Sequence, residues 1–407
     1  MKKKIEMLIK KGVTLPNPET VYISDDVNPD RISGENVIIF GGCKIMGEKS
    51  LIMKNSQIGY EAPVTIENTL IGEKTKLTGG FFKGAVFAGW NTFGSGAHVR
   101  EGTILEEEAG AAHTVGLKQT ILFPFVTLGS LINFCDCFMA GGTSRKDHSE
   151  VGSSFIHFNY TPHQDKATPS MMGDVHHGVM LNSKPIFLGG QGGVVGPVRI
   201  NYGCLSAAGS IIRKNELSND RLLVGGSYKE ASLPRSFNGY KNISHIFNNN
   251  IFYISGLLAL KSWYRHIRPL FIYDDFSGHL VKGMQEVLDE CITERISRLK
   301  QFCSQLEAFH QDRAFNSYMD KEAPGNAKSV LAKMNLAEKT FDLEFKNNEL
   351  KAEGEAFIKI MEKKINRNGK NYIHVIKSLG PDDQHQGIVW LQNIEQGMLE
   401  KLLIGQE

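Results

Sequence analysis

Histidine and cysteine are the side chains of this sequence whose types alone would support metal chemistry. Neutral imidazole is a good zinc ligand, and six histidines lie between residues 113 and 177: His113, His148, His157, His163, His176 and His177. Cys135 and Cys137 are separated by one residue, but they lack the second cysteine pair of a structural zinc site. The glycine run 189–196 (GGQGGVVG) lacks the Lys-Ser/Thr of a phosphate-binding loop. We therefore predict no metal ion from these motifs.

Composition excludes several classes of partner. The 407 residues carry 46 Lys and Arg against 44 Asp and Glu, a net charge of +2, so no nucleic-acid partner is expected. No apolar run reaches 18 residues, and the basic start MKKKIEMLIKKGV is too short and too charged for a signal peptide. The six sparse cysteines are typical of reduced thiols. We expect a cytoplasmic protein with no membrane association.

The elements that must position these side chains change character near residue 230. Residues 1–226 contain 31 of the 42 glycines, and apolar residues recur there every six positions, as at Ile39, Ile45 and Leu51. A six-residue period fits neither a helix nor a simple strand, but it fits a parallel β-helix whose hexapeptides form the sides of a triangular coil. Residues about 18 apart should then stack. A β-sandwich is the alternative, although a sandwich has no reason to keep this register.

Two polar stretches, 140–150 and 161–177, break the repeat and are predicted to be projecting loops. After about residue 235 the period becomes helical. Helices are expected at about 242–265, 280–309, 327–366 and 383–404, and the second of these has one apolar seam that suits a helix pair or a coiled coil. The predicted domains are a lead-in (1–34), a β-helix (35–233) and a helical domain (236–407). The helical domain is interpreted as a cap or a module for a protein partner.

The stretch 12–233 resembles a known family. Its opening GVTLPNPETVYI and the segment 186–209, IFLGGQGGVVGPVRINYGCLSAAG, are similar to the acetyltransferase half of the bifunctional N-acetylglucosamine-1-phosphate uridyltransferase/glucosamine-1-phosphate acetyltransferase. That half is a left-handed β-helix of the hexapeptide-repeat transferases. The resemblance implies a homotrimer, because the family's pocket lies between neighbouring subunits. The LxxGxGTRM-type loop of the other half is missing, so pyrophosphorylase activity is not expected.

The resemblance also implies a set of binding residues for a phosphorylated or nucleotide-linked sugar and for acetyl-CoA. Cationic groups would neutralise the phosphate, while amide and phenol groups would bind hydroxyls. The sugar-phosphate positions are matched by Arg100, Lys118, Asn133, Asn159, Tyr160 and Lys166. The positions along the acetyl-CoA channel are matched by Ser153, Gly190 and Ala208, and Lys229 is placed near the CoA phosphates.

The sequence differs from the family at the catalytic base. A histidine is expected in the segment that here reads Ile132-Asn133-Phe134-Cys135-Asp136, and the matching position holds Phe134. Asp136 is the candidate replacement, or a histidine (His113, His148 or His157) from a nearby coil. A general base contributes about 10²–10⁴ in rate.

Three functions remain open on this basis. The first is an acyl-CoA-dependent acyltransferase that acts on a sugar phosphate or nucleotide sugar. The second is a zinc enzyme similar to the γ-class carbonic anhydrases, although the histidines do not fall on the Val-x-Ile-Gly-His pattern of that family. The third is a non-catalytic sugar-nucleotide sensor or scaffold.

Overall fold

Short strands fill the first part of the chain. The computed structural model describes residues 2–161, 163–226, 232, 242–311, 324–346 and 350–404. The strands are β1 (Tyr22–Ile23), β2 (Ile38–Ile39), β3 (Lys44–Met46), β4 (Leu51–Ile52), β5 (Gln57–Ile58), β6 (Val64–Glu67), β7 (Leu70–Ile71), β8 (Lys76–Leu77), β9 (Gly80–Lys83), β10 (Ala85–Phe87), β11 (Thr92–Phe93), β12 (Ala97–Val99), β13 (Thr103–Leu105), β14 (Gly110–Ala111), β15 (Gly116–Leu122), β16 (Thr127–Leu128), β17 (Asn133–Met139), β18 (Gly142–Ser144), β19 (Asp147–His148), β20 (Glu150–Val151), β21 (Ile156–Phe158), β22 (Ser170–Met172), β23 (Phe187–Leu188), β24 (Gly193–Val195), β25 (Arg199–Ile200), β26 (Leu205–Ser206), β27 (Ile211–Ile212) and β28 (Leu222–Leu223).

These strands form a parallel β-solenoid of about 11 turns. One face is a ten-stranded parallel sheet that runs from β2 to β28. A larger sheet supplies the other faces. It bends at β15 and β17, which are seven residues long. The start of β15, for example, pairs with β12 and its end pairs with β13, so the strand continues from one face to the next. The predicted β-helix is confirmed, and the sandwich alternative is wrong because the ladders are parallel.

The apolar residues that recur every six positions face the interior of the solenoid. Ile39, Ile45, Leu51 and Ile58 are all fully buried. Phe93 pairs with Ala111, eighteen residues later, which is the expected length of one turn, and both side chains are buried. Inward-facing apolar side chains therefore stack from turn to turn, and their burial supplies the main stabilisation of the coil, at about 25 cal/mol per Å².

The two interruptions of the repeat have different structures. Within 140–150, β18 and β19 form an antiparallel hairpin outside the parallel ladders, as a projecting loop should. The stretch 161–177 is not a projecting loop throughout. Its β22 is buried and pairs with β17, so the chain re-enters the solenoid wall before the next turn. The apolar pair Met171-Met172, which faces the core, explains this correction.

The solenoid begins inside the predicted lead-in, because β1 pairs with β3. Helix α1 (Lys2–Lys11) lies beside this first turn and buries Leu8 completely. The Lys4 ammonium donates hydrogen bonds to the carbonyls of Ser24 and Val27, at 3.1 and 2.7 Å. The first turn is therefore covered by a helix.

Most of the remaining described residues are helical. The helices are α2 (Val175–Gly178), α3 (Ile243–His266), α4 (Asp275–Gln311), α5 (Pro324–Lys346), α6 (Ala352–Asn368), α7 (Tyr372–Lys377) and α8 (Pro381–Leu399), and a π-turn (Glu400–Ile404) follows. The predicted helical region is confirmed, with the third predicted helix divided in two. Among the residues described, no helix has the length and apolarity to cross a bilayer.

The long helix α4 packs along the side of the solenoid. Gly283 approaches the wall so closely that a Cβ there would meet Leu70 Cδ2 at 2.4 Å. The Cys291 thiol donates a hydrogen bond to the carbonyl of Gly102 at 3.1 Å. α4 also packs against α3 and α5. The apolar seam predicted for this helix therefore serves packing within the chain.

A buried ion pair joins the two halves. Arg268 Nη2 lies 2.7 Å from Glu106 Oε2, and both side chains are almost fully buried. Arg268 also bonds to Glu107, and the Tyr264 hydroxyl donates to Glu106 Oε1 at 2.5 Å. Burial raises the pKa of Glu106, and the Arg268 charge opposes that rise.

Candidate functional site

Three strands on successive turns position the predicted sugar-phosphate residues. β12, β15 and β17 pair in register, so His98, Gly116 and Asn133 lie in one row across the wall. Two residues further along β15 and β17, Lys118 lies beside Cys135. Alternate residues of a strand face opposite sides, and so these positions share the outer face.

Positive charges gather around Cys135. Burial, followed by the Asp136 charge, raises the pKa of the Cys135 thiol to about 11, and the charges of Lys118, Arg100 and Lys166 act in the opposite direction. Three cations from different turns are therefore close enough to act on one thiol. We call Arg100, Lys118 and Lys166 the basic cluster. Cys135 stays protonated at neutral pH and is a poor nucleophile.

Phe134 faces the other way. Its side chain is 1% exposed, lies in register with the buried Leu117 and packs edge-on against Phe155, with ring centroids 6.1 Å apart. The outward-facing neighbours are Asn133 and Cys135. The basic cluster is therefore flanked by an amide and a thiol, and the phenyl ring belongs to the core.

Asp136 lies beneath the cluster in a buried ion pair. Arg295 Nη2, from α4, lies 2.8 Å from Asp136 Oδ1, and both side chains are at most 5% exposed. Asn159 Nδ2 donates to Asp136 Oδ2 at 3.3 Å. Both carboxylate oxygens are occupied and shielded from solvent, which argues against Asp136 as the base. No local sequence signal pointed to Arg295, which lies in the helical half.

The predicted Asn159-Tyr160 pair is divided. Asn159 turns inward to Asp136, whereas the Tyr160 side chain is 78% exposed. The backbone of Lys166 is held from below, where Arg295 Nη1 donates to its carbonyl at 3.4 Å, and its side chain is exposed. The structure thus groups Arg100, Lys118, Asn159 and Lys166 with Cys135 and Asp136, but not Tyr160.

The predicted acetyl-CoA residues stack at one corner of the coil. Gln191 N donates to the Ser153 carbonyl at 2.8 Å, and Gly209 N donates to the Gly190 carbonyl at 2.9 Å. A Cβ at Gly190 would meet Ser153 O at 2.7 Å, so this close approach requires glycine. Ser153 and Ala208 are exposed. Lys229 lies outside the described residues.

Two histidines near the site differ in access. His157 is 2% exposed, its Nε2 lies 2.7 Å from Ser170 Oγ, and burial lowers its pKa to about 4. His113 is exposed at the corner that carries Ser153. Its Nδ1 lies 2.9 Å from Ser130 Oγ, and the Ser130 amide donates to Ser153 Oγ at 3.1 Å. Of these two rings, His113 is the one that solvent reaches.

The fold and the stacked corner define a parallel β-solenoid protein of the hexapeptide-repeat type. No protein family model matches the chain. Similar curated proteins include "Bifunctional protein GlmU" of Thermotoga maritima, 29% identical over 214 residues, which is 52% of this chain and 42% of the relative. The same protein of Fervidobacterium nodosum is 26% identical over 244 residues, 59% of this chain and 48% of the relative.

The resemblance noted from the sequence is confirmed over about half of the chain. The chain spans less than half the length of these relatives. The matched lengths, 214 and 244 residues, approximate the length of the solenoid.

Proposed function

We propose that the protein is an acyl-CoA-dependent acyltransferase that acts on a phosphorylated or nucleotide-linked sugar. The observation that carries the proposal is the basic cluster, in which Lys118 lies beside Cys135 in the strand register and the charges of Arg100 and Lys166 also act on this thiol. Guanidinium and ammonium groups gathered in this way neutralise a phosphate dianion. The similarity to the GlmU proteins supports the same class of substrate.

The corner formed by Ser153, Gly190 and Ala208 is the proposed acetyl-CoA side. Small residues on successive turns leave backbone groups accessible to an extended pantetheine arm. Acetyl-CoA is accordingly the proposed acyl donor, and Lys229 is kept as a proposed contact to the CoA phosphates. An acceptor held at the basic cluster would be presented to a thioester held at this corner.

His113 is the proposed general base. Its exposed ring stands at the same corner as Ser153 and belongs to the same turn as Lys118, five residues later. A general base must lie within reach of the acceptor's proton, and imidazole is the side chain that most often serves as such a base. Asp136 is instead assigned to holding Asn159 and Arg295 in place.

A non-catalytic sugar-nucleotide sensor is the second candidate. It is favoured by the outward-facing neighbours of Phe134, because an amide (Asn133) and a protonated thiol (Cys135) offer no base next to the basic cluster. Under this alternative, the ligand binds but no acyl group is transferred.

Replacing Lys118 with alanine should weaken binding of glucosamine-1-phosphate by about tenfold to a hundredfold, because a hydrogen bond to a charged group contributes about 1.5–3 kcal/mol. Calorimetric titration of the purified chain measures this change. Lys76, an exposed lysine of β8, supplies the matched control, and Lys76→Ala should leave the affinity unchanged. Equal losses in both variants would remove the basis for the sugar-phosphate site.

The same preparation separates the enzyme from the sensor. Release of the CoA thiol from acetyl-CoA in the presence of the sugar phosphate identifies a transferase, and His113→Gln should then reduce kcat by about 10²–10⁴ while the affinity changes little. Ligand binding without thiol release would support the sensor.

We also propose that the chain forms a homotrimer through its exposed apolar columns. Phe187, Leu205 and Leu222 lie in register on the ten-stranded face and are between 39% and 67% exposed. Among the described residues nothing covers this column, and such area is typical of a subunit interface. In the proposed trimer, a neighbouring solenoid supplies a further wall of the sugar-phosphate pocket.

Light scattering should give a mass about three times the 45.2 kDa of one chain. Leu205→Asp places a charge within the apolar column and should shift the mass towards one chain. Leu343, 71% exposed on α5, provides the matched control, since Leu343→Asp should leave the mass unchanged. A monomer for the unaltered chain at micromolar concentration would contradict the proposal.

A further inference from the structure

A histidine–carboxylate cluster follows β22, the strand that pairs with the end of β17. After β22 the chain enters the short helix α2, which brings together Asp174, His176 and His177. One ligand atom from each of the three side chains lies within 4.8 Å of the others. The cluster is separate from the proposed acyltransferase residues.

The distances within the cluster match those around a shared ion. Asp174 Oδ2 lies 3.0 Å from His177 Nδ1 and 3.5 Å from His176 Nε2. Ligand atoms that each lie about 2.0–2.2 Å from one cation are separated by about 3–3.5 Å. The two imidazole rings stand side by side, with centroids 4.5 Å apart.

Glu395 of α8 supplies an independent observation. Its Oε2 lies 3.0 Å from His176 Nδ1, and the side chain is 12% exposed. Its other oxygen, Oε1, is buried without a hydrogen-bond partner among the described residues. Metal-bound histidines usually donate their second N–H to such a carboxylate, which fixes the tautomer and raises the ligand's basicity. A proton on Nδ1 leaves the Nε2 lone pair directed towards Asp174.

The hydroxyl of Tyr202 holds the aspartate in position. It donates to the Asp174 carbonyl at 2.9 Å and lies 3.3 Å from Oδ1, which also accepts from the His177 amide at 2.8 Å. These bonds do not engage Oδ2, which lies 3.0 Å from His177 Nδ1 and 3.5 Å from His176 Nε2. His176 is nearly buried, whereas the His177 side chain is 40% exposed. A cation would enter from the His177 side, and water would complete its coordination there.

We propose that Asp174, His176 and His177 bind a divalent transition-metal ion of the zinc class, with Glu395 orienting His176. Imidazole nitrogen favours zinc and its neighbours in the first transition row, whereas magnesium and calcium prefer oxygen ligands. Because Glu395 belongs to the helical half and the three ligands belong to the solenoid half, the ion also links the two halves.

Metal titration of the full chain tests the site. The protein, free of any polyhistidine tag and first treated with a chelator, is titrated with Zn²⁺ by calorimetry and with Co²⁺ by visible absorption. One equivalent should bind per chain. Glu395→Gln should raise Kd about 10–100-fold, as is typical when the outer carboxylate is lost. His177→Gln should raise Kd by at least as much, and its exposed position favours correct folding.

His148, outside the cluster, provides the matched control, and His148→Gln should bind Zn²⁺ with unchanged affinity. Substoichiometric binding, or equal affinity in His177→Gln, would overturn the proposal. Binding of Mg²⁺ as tight as that of Zn²⁺ would also overturn it. A loss of thermal stability in His176→Gln with no metal binding by the unaltered chain would identify a salt-bridge network instead. The acyltransferase proposal is unaffected by each of these results.

Discussion

Replacing Arg268 with methionine should lower the free energy of unfolding by about 3–5 kcal/mol, which is the usual effect of removing one partner of a buried ion pair. Glu106 is completely buried, and in this variant its charge would keep only the Tyr264 hydroxyl. The guanidinium also stacks 3.5 Å from the Tyr372 ring centre, and that contact would change as well. Chemical denaturation at pH 7 measures the loss.

The matched control is an exposed ion pair. Lys184 lies 2.8 Å from Asp220, with both side chains more than half exposed. Lys184→Met should change stability by about 0–1 kcal/mol. A loss for Arg268→Met no larger than this would contradict the assignment of Arg268 as the link between the two halves.

The pH dependence gives the Arg268 prediction a second readout. Burial already raises the pKa of Glu106, and without Arg268 this pKa should rise further. The folded variant then binds a proton at a higher pH than the unfolded chain does, so its stability increases as pH falls. The difference between Arg268→Met and the unaltered protein should therefore be smaller at pH 5 than at pH 7.

Arg295→Met is expected to have a comparable effect on stability, about 3–5 kcal/mol, because Asp136 would be left buried and charged. It should also weaken sugar-phosphate binding, because Arg295 donates to the Lys166 carbonyl and pairs with the carboxylate that holds Asn159. Denaturation and ligand titration of the same variant measure the two effects.

Arg298, one turn further along α4, is the control. It pairs with Glu294 on its own helix at 2.9 Å, and its side chain is 26% exposed. Arg298→Met should have little effect on binding. The double variant Asp136→Asn/Arg295→Met should lose less stability than the sum of the two single changes, since the partners act as a unit. Additive losses would contradict a direct pair.

The solenoid is predictable from sequence because its signal is local. The residues that repeat every six positions, such as Ile45 and Leu51, are the residues that face the core. One hexapeptide therefore already indicates which of its side chains point inward and which point outward. The eighteen-residue stacking of Gly190 and Ala208 follows from the same period. The projecting hairpin was also predictable, because its residues are mostly polar and cannot contribute apolar side chains to the core.

The candidate site was only partly predictable, since its geometry depends on register and on distant partners. Matching Phe134 to the family's histidine compares residue types and does not consider which side of the strand the residue faces. Alternation along β17 directs the Phe134 side chain inward. Arg295 and Glu395 come from helices more than 150 residues beyond their partners Asp136 and His176, with no local signal to connect them. Contacts between residues so far apart in the sequence become evident only when the helices are packed against the solenoid.

Helix α1 has a consequence for the first turn of the solenoid. A stack of parallel strands carries unpaired amide and carbonyl groups at its first turn, and an open row of this kind invites another chain to add a strand. Repeat proteins commonly protect this end with a terminal unit of different character. With Leu8 buried against the coil and Lys4 bonded to the Ser24 and Val27 carbonyls, α1 occupies that position. Addition of a strand at this edge of the first turn would therefore require α1 to be displaced.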